Sequence, residues 1–371
     1  MLIERNDCVV CGSTSLEDSF TLQNYPIYCG VSLDPNSDIF ADQKWCICKD
    51  CGCVQLKKLI PLDILYKVPH NPAIGKTWKT HFEKFADFIS DDTGETIMEI
   101  GGGNCKLFNE LKTRMGFEKY VMCDLRCDCD DRRIEHKPYF YDPDENIVVD
   151  AIIHSHTMEH FYEPRKYIKA FNKHLKLGGK VYMSVPDTKR LVQDGHNNGI
   201  NFEHSYFVCE EYIDYMMKKY GFEKCHSEKF SEYNDFLSYE KVSDDINVKV
   251  EHVNQYEQNT KIIESYLNNL RGAVDEINNK IKSHENVFIF GCHVTTQQLI
   301  SFGLDTSKVI NILDNDINKQ GHFLYGTHLK TVSPKELESY ENACVVVKMG
   351  VYTEEIIRGL KNINSNLEII T

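Results

Sequence analysis

Long apolar runs are missing from this chain of 371 residues. No stretch approaches the roughly 20 consecutive apolar residues that cross a bilayer, so no membrane partner is expected. The opening Met-Leu-Ile-Glu-Arg-Asn-Asp-Cys holds no apolar signal-peptide core, which points to a cytoplasmic protein. Positive charge is also in deficit: 42 lysines and arginines face 56 aspartates and glutamates, a net charge of −14. Non-specific nucleic-acid binding rests on neutralising phosphate, so that class is disfavoured, although a small basic pocket is not. Cysteine, by contrast, is plentiful, with fifteen in all. Without an export signal, metal ligation and free buried thiols are favoured over disulfides. Hydrophobic residues make up 42% and aromatics 11%, enough for sizeable cores. The length predicts two or three domains at roughly 150 residues each.

One stretch organises the rest: Thr96-Ile-Met-Glu99-Ile-Gly101-Gly-Gly103-Asn-Cys-Lys-Leu-Phe. Apolar residues and an acid run into three glycines, and a helical pattern follows. That is a strand, a tight turn and a helix, with glycines where a backbone must approach a ligand closely. A dinucleotide loop wants G-x-G-x-x-G, but Lys106 stands at its last position. Glu99-Ile-Gly101-Gly-Gly103 instead matches the E-x-G-x-G of S-adenosylmethionine (SAM) sites, with Cys105 where a third glycine often stands. Val121-Met-Cys-Asp124 reads as a second strand ending in an acid that could hold both ribose hydroxyls, with Leu125 beside it. Asp142, after Tyr139-Phe-Tyr, is placed to meet the adenine amino group. Residues 147–153 form a further strand, leading into His154-Ser-His156-Thr-Met-Glu159-His160, and a helix runs to Leu175. Leu175-Lys-Leu-Gly-Gly179 turns into a fifth strand closed by Pro186. This ordered series resembles a class I SAM-dependent methyltransferase over residues 96–222, an α/β fold with a Rossmann-like sheet. The resemblance puts Glu99, Gly101, Gly103, Asp124, Leu125, Asp142 and His156 at the cofactor.

Ahead of that core lie Cys8-Val-Val-Cys11-Gly and Cys48-Lys-Asp-Cys51-Gly. Each C-x-x-C pair puts two thiolates on one turn, and two such turns make a closed, structural four-cysteine zinc site. Cys46 and Cys53 compete as ligands, although Cys46/Cys48 has the wrong spacing. Cys123, Cys127 and Cys129 are read as plain thiols. Asn24 to Gly30, between the pairs, is expected to be an exposed loop that could touch a substrate. A four-cysteine knuckle, a class I core and a further α/β unit together are similar to the zinc-binding sugar C-methyltransferase family, whose members act on nucleotide-linked deoxy-keto sugars. The resemblance covers nearly the whole chain. It implies a small-molecule substrate, a nucleotide sugar, and leaves monomer and homodimer open.

Further positions follow from the resemblance and the chemistry. Tyr66 and His160 match residues near the acceptor, and Glu203-His204 matches an acid-histidine pair. A histidine near neutral pKa suits removal of a proton next to a ketone, with a carboxylate to orient it. Two departures keep an oxygen or nitrogen acceptor in play. Asn201 replaces a frequent tyrosine, and Tyr233-Asn234-Asp replaces a His-Gly-Gly-Ser run. His81 is a rim candidate or a helix-face core histidine. Pro69, His70, Asn71 and Pro72 mark an irregular loop, and residues 187–199 an insertion or lid. Residues 256–284 read as one long connecting helix. Gly291-Cys-His-Val lacks the later glycines of a dinucleotide loop, so the last unit reads as a second, degenerate Rossmann-like fold, with Asn315 and Lys319 as nucleotide-end contacts. The layout is residues 1–62 for the knuckle, 63–242 for the methyltransferase unit, and 243–371 for the helix and second Rossmann-like unit. Competing classes are an NAD-dependent oxidoreductase and a non-catalytic binding module that grips a partner protein.

Overall fold

The computed structural model describes residues 2–67, 76–89, 93–251 and 254–371. The loop read at Pro69 to Pro72 lies outside them. Among the described residues no helix is long and apolar enough to cross a membrane.

An antiparallel sheet comes first, from β1 (Leu16–Pro26), β2 (Phe40–Cys48) and β3 (Val54–Leu56). The segment expected to be an exposed loop is instead the end of β1 and the chain beyond it. Tyr25, Ile27 and Tyr28 are buried, because their apolar bodies pack into a core shared with the last unit. Tyr28 and Cys29 do reach the large cavity described below.

Seven strands form the central sheet: β4 (Thr96–Ile100), β5 (Lys119–Cys123), β6 (Ile134–Lys137), β7 (Val149–Ser155), β8 (Leu175–Pro186), β9 (Phe222–Ser231) and β10 (Asn234–Lys241). Their order is β9-β10-β8-β7-β4-β5-β6, with β10 antiparallel to both neighbours and the other pairings parallel. The order reverses between β4 and β7, so a crevice opens at their carboxyl ends, where such sheets bind ligands. Near-continuous apolar runs in β4, β5 and β7 suit strands buried on both faces. The Leu175 to Gly179 stretch, read as a turn, lies inside β8. Its irregularity survives as a register shift opposite β7 and a left-handed Gly178 (φ +81). Covering helices include α1 (Lys76–Phe88), α2 (Lys106–Arg114), α3 (Pro164–His174) and α4 (Glu210–Lys219).

The long helix is present as α5 (Tyr256–Ile281). It leads to a parallel five-stranded sheet of β11 (Val287–Phe290), β12 (Val309–Leu313), β13 (Thr331–Val332), β14 (Cys344–Val347) and β15 (Glu368–Ile370). Gly291 (φ +103) turns β11 into helix α6 (Val294–Ser301). A Cβ there would meet Met349 Sδ at 2.6 Å, so the tight turn requires glycine.

A buried arginine ties these parts together. Arg5 donates to Ser205 O (2.6 Å), Tyr162 O (2.8 Å), Leu56 O (3.2 Å) and Ser205 Oγ (2.9 Å). It is 7% exposed. Burial lowers its pKa to about 10, yet it remains a cation whose two terminal nitrogens are met by these oxygens. Next to it β3 pairs with the segment after His204: Leu56 N–H donates to Ser205 O and Phe207 N–H to Val54 O. The knuckle unit therefore fixes the backbone that carries His204. Arg5→Met should cost about 3 kcal/mol in denaturant unfolding, since buried carbonyls lose a charged donor. A change within 0.5 kcal/mol would show that Arg5 carries no such role.

Candidate active site

The cysteine pairs meet as expected. Sulfurs of Cys8, Cys11, Cys48 and Cys51 lie within 4.8 Å of one another, with Cys8–Cys51 at 3.5 Å and Cys11–Cys48 at 3.6 Å. Gly12 N–H bonds to Cys8 O and Gly52 N–H to Cys48 O, and both glycines are left-handed (φ +84 and +80), so each pair forms the same knuckle. Four thiols converging in one group fit a tetrahedral zinc ion, which would hold the two knuckles as one closed, non-catalytic unit. Cys46 and Cys53 stand outside the group, and the Cys53 thiol donates to Val54 O.

The glycine turn is shaped by what surrounds it. A Cβ on Gly102 would sit 2.1 Å from the Glu99 carboxyl carbon, and one on Gly103 would sit 2.6 Å from that of Asp124. Glu99 is buried behind the turn and accepts from Tyr120 OH at 2.7 Å. Burial pushes its pKa up to about 7, helped by the Asp124 charge and opposed by the Tyr120 bond. Asp124 accepts the N–H groups of Gly103 and Arg126, at 3.0 Å each. These bonds fix a half-exposed carboxylate at the end of β5, facing the crevice. Leu125 lines the same side and is 51% exposed. Asp142 is a correction. It is exposed, outside the cavity wall, and its carboxylate accepts Asp144 N–H in a local turn, while Phe140 and Tyr141 line the cavity instead.

One cavity of about 1270 Å³ runs from this turn past a group of histidines to the last unit. Tyr66, His156, Glu159, His160, Glu203 and His204 line it. His160 and His204 stack edge to face, ring centroids 5.2 Å apart, and Tyr66 packs against His160 at 6.5 Å. The Asn201 side chain accepts the N–H groups of Glu203 and His204, at 2.8 Å each, so the residue that departs from the family pattern builds the turn presenting them. Burial and the neighbouring His160 lower the His204 pKa to about 4, while Glu159 and Glu203 pull it upward.

Behind these rings lies a hydrogen-bond chain. His81 Nε2 meets Ser184 Oγ (2.8 Å), Ser184 meets Asn234 Oδ1 (3.2 Å), and Asn234 Nδ2 meets His156 Nε2 (2.7 Å). The amide NH₂ can only donate, so His156 carries its proton on Nδ1, which faces Glu159 Oε1 at 3.4 Å. Burial alone would raise the Glu159 carboxyl. The His156 bond and the fields of His160, His156 and His204 outweigh it and hold the pKa at about 2. His156 is thus a fixed wall residue with a left-handed backbone (φ +50), and its polar atoms are turned inward. His81 is buried behind it, outside the cavity lining, and His154 is packed against Phe161 and Phe171, also away from the cavity.

Several lining residues carried no local sequence signal. Trp78, Asn198 and Tyr233 come from separate segments, and His293 and Asn318 come from the last unit. Asn315 is exposed and outside the wall. Lys319 reaches it while donating to Asp314 and to Cys292 O.

Comparison with known proteins agrees with this geometry. The family described as "Methyltransferase domain" matches residues 76–227, and "C-methyltransferase C-terminal domain" matches residues 232–368. No curated protein matches the chain. Similar solved structures include an S-adenosylmethionine dependent methyltransferase from Mesorhizobium loti, at 13% identity and TM-score 0.34, covering 45% of this chain and 98% of that one. Human N-acetylserotonin methyltransferase in complex with SAM is 14% identical with TM-score 0.39, covering 45% of this chain and 53% of that one. Magnesium protoporphyrin IX methyltransferase from Synechocystis with bound SAM is 12% identical with TM-score 0.34, covering 44% and 80%. These likenesses span less than half of the chain and do not bear on its substrate. The two domain matches make the protein a SAM-dependent methyltransferase with C-methyltransferase character, and the oxidoreductase and binding-module readings fall away.

Asp124→Ala should weaken S-adenosylhomocysteine (SAH) binding roughly 10- to 100-fold in calorimetry, the size of one or two charge-assisted hydrogen bonds. Unchanged affinity would remove the ribose role. Buried histidines also set a pH response. His81 and His154, each at most 1% exposed, have pKa values lowered by burial to about 3 and about 4 from 6.5. The unfolded chain therefore binds more protons below pH 6.5, and each histidine removes up to about 1.4 kcal/mol per pH unit as the pH falls toward 4. Glu99, raised from 4.5, acts oppositely between about 4.5 and 7. The two histidines outweigh it, so the melting temperature should fall from pH 6.5 to 4.5. His154→Phe should flatten that fall, and an unaltered slope would contradict the assignment.

Proposed function

We propose that this SAM-dependent methyltransferase moves a methyl group to a carbon beside a ketone in a nucleotide-linked sugar, with His204 as the base. The observation that carries the reading is the single cavity joining the glycine turn, the His160–His204 pair and the Lys319 side of the last unit. Its volume, about 1270 Å³, exceeds the roughly 300–1,000 Å³ of a site for one small molecule. Cofactor and acceptor fit end to end. The C-methyltransferase C-terminal match supports carbon as the acceptor.

In this reading Glu99, Gly101 and Gly103 shape the turn around SAM, Asp124 takes the ribose and Leu125 flanks it. SAM supplies a methyl on a cationic sulfur, and the chain supplies alignment and a base. His204 removes the proton next to the ketone. Its ring is neutral at pH 7, and the charged Glu159, with Glu203, stabilises the imidazolium that forms. Tyr66 and His160 border the acceptor. Lys319 and Asn318 lie where a nucleotide would end. Zinc at the four thiols holds the knuckle that presents residues 203–207. The division into residues 1–62, 63–242 and 243–371 belongs to the same reading. The second reading is a sugar O- or N-methyltransferase on this scaffold, favoured by Asn201 in place of tyrosine.

The test is methyl transfer from SAM to a panel of nucleotide-linked 4-keto, amino and fully hydroxylated hexoses, followed by mass spectrometry. Methylation of the keto member alone is expected. Methylation of a hydroxylated or amino member would replace the proposal with the second reading. With the accepted sugar, His204→Ala should keep SAH affinity within about twofold and lose at least 100-fold in kcat, within the range of general-base effects. Undiminished turnover would remove the base assignment.

A further inference from the structure

Glu159, His160 and His204 hold an arrangement that proton transfer does not require. One ligand atom from each lies within 4.8 Å of the others. Glu159 is 1% exposed, and His156 faces only its Oε1. Among the described residues the second oxygen, Oε2, is buried with no hydrogen-bond partner, and so is Nδ1 of His204. The side chains recorded in ion-pair contact with Glu159 are the imidazoles of His156 and His160, the latter at 3.9 Å. A buried carboxylate whose second oxygen is unpaired, and whose ion-pair contacts among the described residues are imidazoles, is costly unless a cation joins it.

We propose that Glu159, His160 and His204 form a second metal site, for a divalent ion of the zinc, nickel or cobalt class, and that its occupation blocks methyl transfer. Two neutral imidazoles and one carboxylate are a ligand set that first-row divalent ions accept. The ion supplies the positive charge that Glu159 lacks. Bonds of about 2.0–2.1 Å set ligand atoms roughly 3.3 Å apart, so the three side chains close in by small rotations. The site differs from the four-thiol centre in every ligand. Blocking rests on the base reading above: a nitrogen lone pair bound to a metal cannot accept a proton. Binding itself does not rest on that reading.

The test titrates nickel into untagged full-length protein whose four-thiol centre has been filled with zinc, read by calorimetry. One further equivalent of nickel is expected. Binding should vanish in His204→Ala and weaken at least tenfold in Glu159→Gln, with SAH affinity retained in both as the sign of an intact fold. Nickel should also stop methyl transfer in the unaltered enzyme, and dialysis should restore it. Absence of the extra equivalent, or equal binding in both variants, would overturn the metal site and leave the base reading standing. Bound nickel with full turnover would overturn the blocking role and count against His204 as the base. Turnover that requires nickel would replace blocking by a productive metal.

Discussion

The Arg5 guanidinium is the contact on which the site's shape depends. It is a buried cation that meets carbonyl oxygens, and those carbonyls belong to three separate segments: the last knuckle strand, the loop after His160, and Ser205 beside His204. Without it those buried carbonyls would lose a charged donor, although Ser205 O would keep the Leu56 N–H. The strand Val54–Leu56 extends the same link by pairing with residues 205–207. The four-thiol knuckle is thus connected, through that strand, to the backbone that carries His204. The helix Tyr256–Ile281 clamps the other side, where Asn259 donates to Gly52 O and to Tyr212 OH.

Electrostatics divide the cavity in two. At the glycine turn, Glu99 is buried, with its pKa raised toward neutrality, while Asp124 is held open by two backbone N–H groups. At the histidine end, Glu159 stays ionised because the chain from His81 through Ser184 and Asn234 fixes the His156 proton on the nitrogen facing it. One carboxyl is tuned upward and the other downward, by burial in the first case and by imidazole neighbours in the second. A charge at Glu159 suits an imidazolium, or a metal ion, on the rings beside it.

What was legible in the sequence was local. The C-x-x-C pairs and the Glu99 to Gly103 turn declare themselves by spacing, because a knuckle or a strand-turn-helix is built from neighbouring residues. The long helix and both Rossmann-like units were legible by apolar periodicity. The histidine end was not, because its bonds join distant segments: Asn234 reaches His156 across 78 residues, and Arg5 reaches Ser205 across 200. Glu159 therefore reads from the sequence only as a residue that caps or lines the site, and it stands at the centre of the cluster. Asp142 stands in the right order along the chain but lies exposed in its own turn, outside the cavity wall. The Asn24 to Gly30 stretch reads from the sequence as an exposed loop, yet its tyrosines and isoleucine pack into the core shared with the last unit.

The central claim is that His204 makes a carbon beside the sugar ketone nucleophilic. The most direct measurement incubates SAH-loaded enzyme with a nucleotide-linked 4-keto-6-deoxyhexose in deuterated water, reading deuterium at that carbon by NMR. Exchange by the unaltered enzyme, lost in His204→Ala, is what the account predicts. Exchange that persists undiminished in His204→Ala, or a sugar methylated with no exchange at carbon, would contradict it.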